Sequence, residues 1–359
     1  MFESYEEARI YPGDRRGQRQ LDALLEKEGI RRDGSLDYTL GLYDQEGELA
    51  ATGSYYRNTL YKNTLRCLAV DSAHQGEGLL NRVVSRLMEL LADQGVLHLF
   101  LYTKCDKVHF FRDLGFAEIA RVEGLAAFLE NRRDGFARYL EELTARAAER
   151  PLPEGAVRGA IVMNANPFTL GHQWLVEQAA AGCDLLHLFV VTEDASLVPF
   201  SVRRRLVEEG VAHLPNVMVH QTGSYMISSA TFPSYFIRDA DDVAQAQARL
   251  DLQVFRRIAG ALGVTARFVG EEPFSAVTSA YNRVMAEELP KGGIRCVVLP
   301  RREAAGQAIS ASAVRQLIHD GALEAIRPLV PESTYRFFQT PEGEAVAAAI
   351  RGAAVVVHH

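Results

Sequence analysis

Thr169, Leu170, Gly171 and His172 stand together behind an apolar run, and their types suit the handling of phosphate. Gly171 lets backbone approach an anion with no Cβ in the way, while Thr169 adds a hydroxyl and His172 an imidazole. Asn164, Asn166 and Pro167 stop the run with turn chemistry, so the order predicts a buried strand over 160–165, a tight loop and a helix. A helix start carries unpaired N–H groups and the positive end of the dipole, which makes such a loop a place to hold a triphosphate. Read alone, the same four residues also make an ordinary helix start, with Thr169 as its cap. A second stretch, Ile309 to Arg315, reads ISASAVR. Ser310 or Ser312 caps a helix that carries Val314, Leu317 and Ile318 on one face, so hydroxyls, N–H groups and the Arg315 guanidinium converge on one spot.

The elements that must position these residues alternate. Strands over 185–192, 217–220, 266–269 and 294–299 are separated by helices over 201–213, 241–262 and 279–289, and a helix over 310–319 follows. That alternation predicts an α/β doubly wound parallel sheet with ligands at the strand C-termini, where the TLGH loop lies. Arg203, Arg204 and Arg205 read as a solvated face, with Arg205 as the candidate charge beside a triphosphate. Tyr225, Ser228 and Ser229 lie in an apolar irregular stretch that either lines an acceptor pocket or is a packed loop.

At 359 residues with a net charge of -7, the chain is long enough for two domains and too acidic for non-specific nucleic-acid binding. No apolar run approaches a membrane span, and Met1 to Gly13 has no apolar signal region, so a cytoplasmic protein is expected. Cys67, Cys105, Cys183 and Cys296 are scattered without metal-ligand or disulfide spacing and read as small buried side chains; no metal site is expected. His358 and His359 are left out as native residues or tag remnant.

The N-terminal part reads as a charged lead-in with a helix over 21–28, strands over 36–43, 48–56 and 64–70, a glycine loop, and an amphipathic helix carrying Leu79 to Leu91. A strand over 96–102, a short helix over 106–114 and a charged helical connector over 125–150 complete it. The expected organisation is an α+β domain over 1–145, the parallel-sheet domain over 150–325 and a helical tail over 326–359.

Three resemblances follow from these residues. The element order of the first 120 residues or so resembles the GNAT acetyltransferase fold, whose CoA loop is matched by Gln75, Gly76 and Gly78 except that Leu80 takes the last, small position. The resemblance implies a site for a CoA-like arm. The usual tyrosine acid is replaced by Phe111, and His109 is the nearby alternative, so transfer chemistry of the acetyltransferase kind is not expected. TLGH with ISASAVR resembles the (H/T)xGH nucleotidyltransferases, which are Rossmann-like. That likeness implies that His172 stabilises the α-phosphate transition state with help from Thr169, that Ser310, Ser312 and Arg315 hold the β- and γ-phosphates, and that backbone at Gly270, with Glu272 nearby, meets the adenosine. The two halves in this order, with NPFTLGH and VGEEPFSAVTSAYN, resemble the citrate lyase ligase family. It implies that ATP, with Mg2+, and acetate give acetyl-AMP, whose acetyl group passes to the CoA-derived thiol of the citrate lyase acyl carrier subunit. The alternative from the same motifs is an adenylyltransferase that joins AMP to a phosphate-bearing acceptor of the pantetheine phosphate or nicotinamide mononucleotide type.

Overall fold

The structure, a computed structural model, describes residues 5–34, 36–58, 62–192, 196–226, 232, 235, 237, 240–271, 276–304 and 306–354. Ser228, Ser229, Glu272, His358 and His359 lie outside the described residues. The chain forms two compact units, residues 1–137 with 232–250, and residues 138–231 with 251–359.

The first unit is built on a seven-stranded sheet of β1 (Glu6–Arg9), β2 (Tyr38–Tyr43), β3 (Leu49–Asn58), β4 (Lys62–Val70), β5 (Phe100–Thr103), β6 (Ala117–Val122) and β7 (Ala126–Glu130), in the order β1-β2-β3-β4-β5-β7-β6. Its helices are α1 (Arg15–Lys27), α2 (Leu79–Ala92) and α3 (Val108–Asp113). Asp14 starts α1 by accepting from the N–H groups of Arg16 and Gly17, well before the expected start at Leu21, so the cap rather than the first leucine sets the boundary. Helix α2 buries Leu79, Val83, Val84, Leu87 and Leu91 on one stripe, each contributing roughly 1.5–3 kcal/mol relative to exposure. The helix packs close over Gly53 of β3, where a Cβ would meet Val83 Cγ1 at 2.5 Å.

Every neighbouring pair of strands is antiparallel except β4 and β5, which are parallel and pair only at Thr64–Phe100 and Leu65–Leu101. β4 runs on to Val70 without that neighbour, past a register shift opposite β3 and past Cys67, which takes a positive φ of 50°. The expected helical connector over 125–150 begins instead with β7, whose five residues are all buried between β5 and β6; the helix there, α4 (Gly135–Ala148), starts ten residues later. Residues 232–250 complete this unit: the Phe232 ring meets Tyr102 edge-on at 5.5 Å, and Arg31 donates from its backbone to Tyr235 O (2.7 Å) and from its guanidinium to Ile237 O (2.7 Å).

The second unit carries five strands, β8 (Arg158–Met163), β9 (Leu185–Val190), β10 (Val217–Gln221), β11 (Ala266–Gly270) and β12 (Arg295–Leu299), in the order β10-β9-β8-β11-β12 with every neighbouring pair parallel. Between them run α5 (Leu170–Ala181), α6 (Phe200–Val211), α7 (Ala240–Leu262) and α8 (Ala276–Glu288), and α9 (Ala311–His319), α10 (Glu332–Phe338) and α11 (Pro341–Gly352) follow. The chain winds outward from β8 to β10, then returns to the other side of β8 with β11, which makes the gap between β8 and β11 the topological switch point. α10 and α11 lend Tyr335, Phe337, Phe338, Val346, Ala347 and Ile350 to the same core as Ile161, Leu188 and Phe168. No helix among the described residues is long and apolar enough to cross a membrane.

Candidate active site

The loop from Asn164 to Thr169 leaves β8 at the switch point and enters α5. Ala165 turns it through a positive φ of 53°, a left-handed conformation that costs a residue with a Cβ about 1–2 kcal/mol. Phe168 pins the loop: its fully buried ring fills the space over Gly210 of α6, where a Cβ would lie 2.4 Å from it.

Thr169 is the N-cap of α5 and shares a capping box with His172. The His172 N–H donates to Thr169 Oγ1 (3.3 Å), and the Thr169 N–H donates to His172 Nδ1 (3.1 Å). Thr169 Oγ1 also lies 3.0 Å from Nδ1. A nitrogen that accepts from a backbone N–H is unprotonated, so the neutral ring carries its proton on Nε2. Burial, then the charges of Arg301 and Arg315, push the His172 pKa down to about 4 and keep that ring neutral at ordinary pH. Phe168 lies nearly parallel to the imidazole with centroids 5.8 Å apart. Thr169 is itself buried, with its hydroxyl against His172. The buried face of α5 is Val176, Ala179 and Ala180; Trp174, Leu175 and Gln178, at helical spacing in the sequence, are half-buried or exposed.

The two motifs meet. A Cβ on Gly171 would lie 3.0 Å from the Ile309 carbonyl oxygen, so glycine is what lets the start of α5 touch the segment entering α9. Ser310 caps α9 by accepting from the Ala313 N–H (3.1 Å). Arg315, buried, donates to Asn166 O (2.5 Å) and to Ser312 Oγ (3.2 Å), tying the α9 start to the loop after β8. Burial lowers its pKa to about 10, and it stays charged. Asn166 Oδ1 accepts from the Val198 N–H (3.0 Å), and Asn164 Nδ2 donates to Ser196 Oγ (2.9 Å). Gly270 ends β11 across the switch point and accepts through its carbonyl from Asn282 Nδ2 (3.1 Å).

The arginine triplet corrects the sequence reading. Arg203 is not solvated: fully buried, it donates to Val198 O (3.0 Å), Asn164 O (2.7 Å), Asn164 Oδ1 (2.8 Å) and Val191 O (2.8 Å). Arg205, two residues and about 200° further round α6, pairs with Glu342 of α11 (2.7 Å) and lies over Phe337. Sequence reasoning missed Arg203 because buried and solvated arginines look alike in a run of three. It also missed Arg301, which follows β12 and donates through Nε to Glu271 O (2.7 Å). Tyr225 is buried and packs against Tyr139 with centroids 4.9 Å apart.

In the first unit, Gln75, Gly76 and Gly78 form an exposed turn before α2, with φ of 90° at Gly76 and 77° at Gly78 and no atom within 4 Å of a Cβ at either glycine. No side chain caps α2. Glu77 accepts from the Tyr5 hydroxyl, which lies 2.9 Å from His74 Nδ1. Leu80 is half-buried against the core of the unit. Phe111 is buried edge-on to Phe116, whereas His109 is exposed, with its ring 3.9 Å from that of Phe110 between centroids. Of the cysteines, Cys67 is buried and Cys105, Cys183 and Cys296 are half-buried, against the expectation of four buried thiols; all four are free. Among the described residues no group of three His, Cys, Asp or Glu side chains is placed to hold a metal ion.

A seven-stranded mixed sheet in one unit and a doubly wound parallel sheet in the other, with two helix starts and a neutral histidine at the switch point of the second, define a bipartite α/β protein. Residues 158–338 match the family model of the citrate lyase ligase C-terminal domain, and residues 1–116 that of the acetyltransferase (GNAT) family. The [citrate [pro-3S]-lyase] ligase of Klebsiella pneumoniae is 43% identical over 288 residues, 79% of this chain and 83% of that one. Those of Escherichia coli K12 and Haemophilus influenzae are 41% and 34% identical, over 77% and 89% of this chain and 79% and 94% of theirs. A solved acetyltransferase of the GNAT family from Staphylococcus aureus Mu50 is similar over 36% of this chain and 99% of its own, at 14% identity and a TM-score of 0.30. The chain belongs to the citrate lyase ligase family.

Proposed function

We propose that this enzyme uses ATP to activate acetate as acetyl-AMP and then acetylates the CoA-derived thiol carried by the acyl carrier subunit of citrate lyase. The observation that carries the reading is the meeting of the TLGH turn and the ISASAVR segment at the switch point, with a neutral His172 between two helix starts. Acetate acylates poorly because its leaving group would be oxide. Attack of its carboxylate oxygen on the α-phosphorus forms an O–P bond as the bond to the diphosphate breaks, and AMP then becomes the leaving group. The thiol sulfur next attacks the acetyl carbon, the C–O bond to AMP breaks, and the thiol proton is lost to water.

No covalent protein intermediate is required. His172 donates its Nε2 proton as a hydrogen bond to the α-phosphate as charge develops there, and Thr169 acts through His172 by fixing tautomer and ring plane. Ser310, Ser312 and the N–H groups of α5 and α9 receive phosphate oxygens, Arg315 and Asn166 hold the two segments together, and Gly270 offers backbone to the adenosine. Asn164 and Arg203 support the loop from beneath. Magnesium would arrive with the triphosphate, since the described residues offer no cluster of their own, and would neutralise part of its charge. The Gln75, Gly76 and Gly78 turn holds the diphosphate of the prosthetic arm at the uncapped start of α2. The protein works in the cytoplasm.

The test is diphosphate release on incubation with ATP, magnesium and a panel of short carboxylates. Acetate-dependent release with no dinucleotide product is expected. A dinucleotide formed from a phosphate-bearing acceptor would show an adenylyltransferase instead, and acetyl transfer from acetyl-CoA without ATP an acetyltransferase.

A further inference from the structure

The open turn of the first unit stands at one end of a gap in its sheet. β4 and β5 are parallel and pair only at Thr64–Phe100 and Leu65–Leu101, so they part toward their C-terminal ends, and it is from that end of β4 that the chain runs on to Gln75, Gly76 and Gly78. Residues of the same unit from much later in the chain reach both strands where they part. On β5, Tyr102, the first residue past the last pair, meets the Phe232 ring edge-on at 5.5 Å. On β4, Cys67 and Leu68 fall in the register shift between the Thr52–Ala69 and Ser54–Arg66 pairs, so the ladder to β3 passes them by. The backbone N–H of Cys67, at a φ of 50°, donates to the hydroxyl of buried Tyr235. Arg31 anchors that arrangement, its backbone N–H on Tyr235 O (2.7 Å) and its guanidinium on Ile237 O (2.7 Å), while Asp33 pairs with Arg66 of β4 (2.6 Å).

Resting on the reading that a CoA-derived arm docks at the turn, we propose that Tyr235 and Phe232 plug the gap between β4 and β5 from within, and that the pantetheine part of the arm enters by displacing the Tyr235 hydroxyl from the Cys67 N–H. The exchange is chemically even. Pantetheine carries amide carbonyl oxygens, which accept as the phenol oxygen does, so the N–H passes from an internal partner to an arriving one and no buried donor is left bare. The plug lowers the affinity for any arm by the free energy of its own contacts, since only the unplugged fraction of the protein is ready to bind. An arm that brings a diphosphate for the turn and amides for the gap meets that cost, and one that brings either alone does not.

The experiment measures CoA binding by calorimetry, and the KM and kcat for acetylation of the carrier thiol, in wild type and in Tyr235→Phe, Phe232→Leu and Gly78→Val. Tyr235→Phe keeps the ring and removes the acceptor, and it is expected to bind CoA about 3- to 10-fold more tightly, the range of one net hydrogen bond. Its KM for the carrier falls by a similar factor while kcat holds. Phe232→Leu, acting from the β5 side, shifts CoA affinity in the same direction and gives an independent check on a different side chain. Loss of a side chain that only supports the fold weakens binding or leaves it alone, so a gain in affinity is the signature of a plug. CoA affinity in both variants equal to or below that of wild type, with binding lost in Gly78→Val, overturns the plug and leaves the turn as the docking place. CoA affinity in Gly78→Val equal to wild type takes the arm away from the turn and the plug with it.

Discussion

Both units contain a strand, a loop and a helix start offered to an anion, and the two are built in opposite ways. At α5 the loop is closed: Thr169 and His172 cap each other, Phe168 is buried, and Arg203 and Arg315 hold the backbone from either side. At α2 the turn is open, with two left-handed glycines, empty space around them and no capping side chain. A transition state gains from donors fixed before it forms, and a long flexible arm gains from bare N–H groups that it can approach. The contrast fits the proposed division, with the chemistry in the second unit and the docking in the first.

Four experiments test that contrast, and the largest effect belongs to the closed loop. His172→Ala should lower acetate-dependent ATP–diphosphate exchange about 100-fold or more, the scale of one lost oriented donor; near-normal exchange would remove His172 from the site. Arg203→Met, which strands the carbonyls of Asn164, Val191 and Val198, should cost about 2 kcal/mol in urea unfolding, and added guanidinium should restore part of the activity. An unchanged midpoint would mean that the loop keeps its shape without the staple. Gly78→Val in the open turn should cost about 1 kcal/mol for its positive φ, leave exchange intact and slow acetylation of the carrier thiol about tenfold, the effect of roughly 1.4 kcal/mol. Equal carrier rates would take the arm away from that turn.

The smallest effect is the slope of stability with pH. His187 and His220, wholly buried with Nδ1 of one 3.0 Å from Nε2 of the other, have pKa values lowered to about 4 and about 3, chiefly by burial, with Arg158 acting on the first and His187, Arg146 and Arg204 on the second. His172 is lowered as well. All three therefore stay unprotonated in the folded chain while the unfolded chain takes up protons, so stability is full above about pH 6.5 and falls as the pH drops toward about 4. Melting temperatures of His187→Leu/His220→Phe should fall less steeply over that window. A slope equal to wild type would place the acid sensitivity elsewhere.

What the sequence made legible was local chemistry and strong periodicity. TLGH and ISASAVR could be read because each packs its hydroxyls, glycine and charge into a few residues, and the alternation of apolar strands with helices predicted the parallel sheet. The stretch AAFLE of β7 was read as helix because alanine, leucine and glutamate favour helices, and only its burial between β5 and β6 makes it a strand. The contacts of Arg203 and Arg205 depend on which way a helix face points, which a run of charges does not reveal. β1 went unread for a related reason: EEAR has the look of a solvated lead-in, and its pairing with β2 comes from residues more than thirty positions away.

The membership of residues 232–250 in the first unit bears on how the chain is made. As it emerges from the ribosome from its N-terminus onward, the seven strands of that unit are all present by residue 130, but Tyr102 has no Phe232 to pack against and Arg31 no Tyr235 carbonyl to bond. The first unit therefore reaches its final packing only after much of the second has been synthesised, and a fragment ending near residue 150 is an unfinished domain with part of its interior bare.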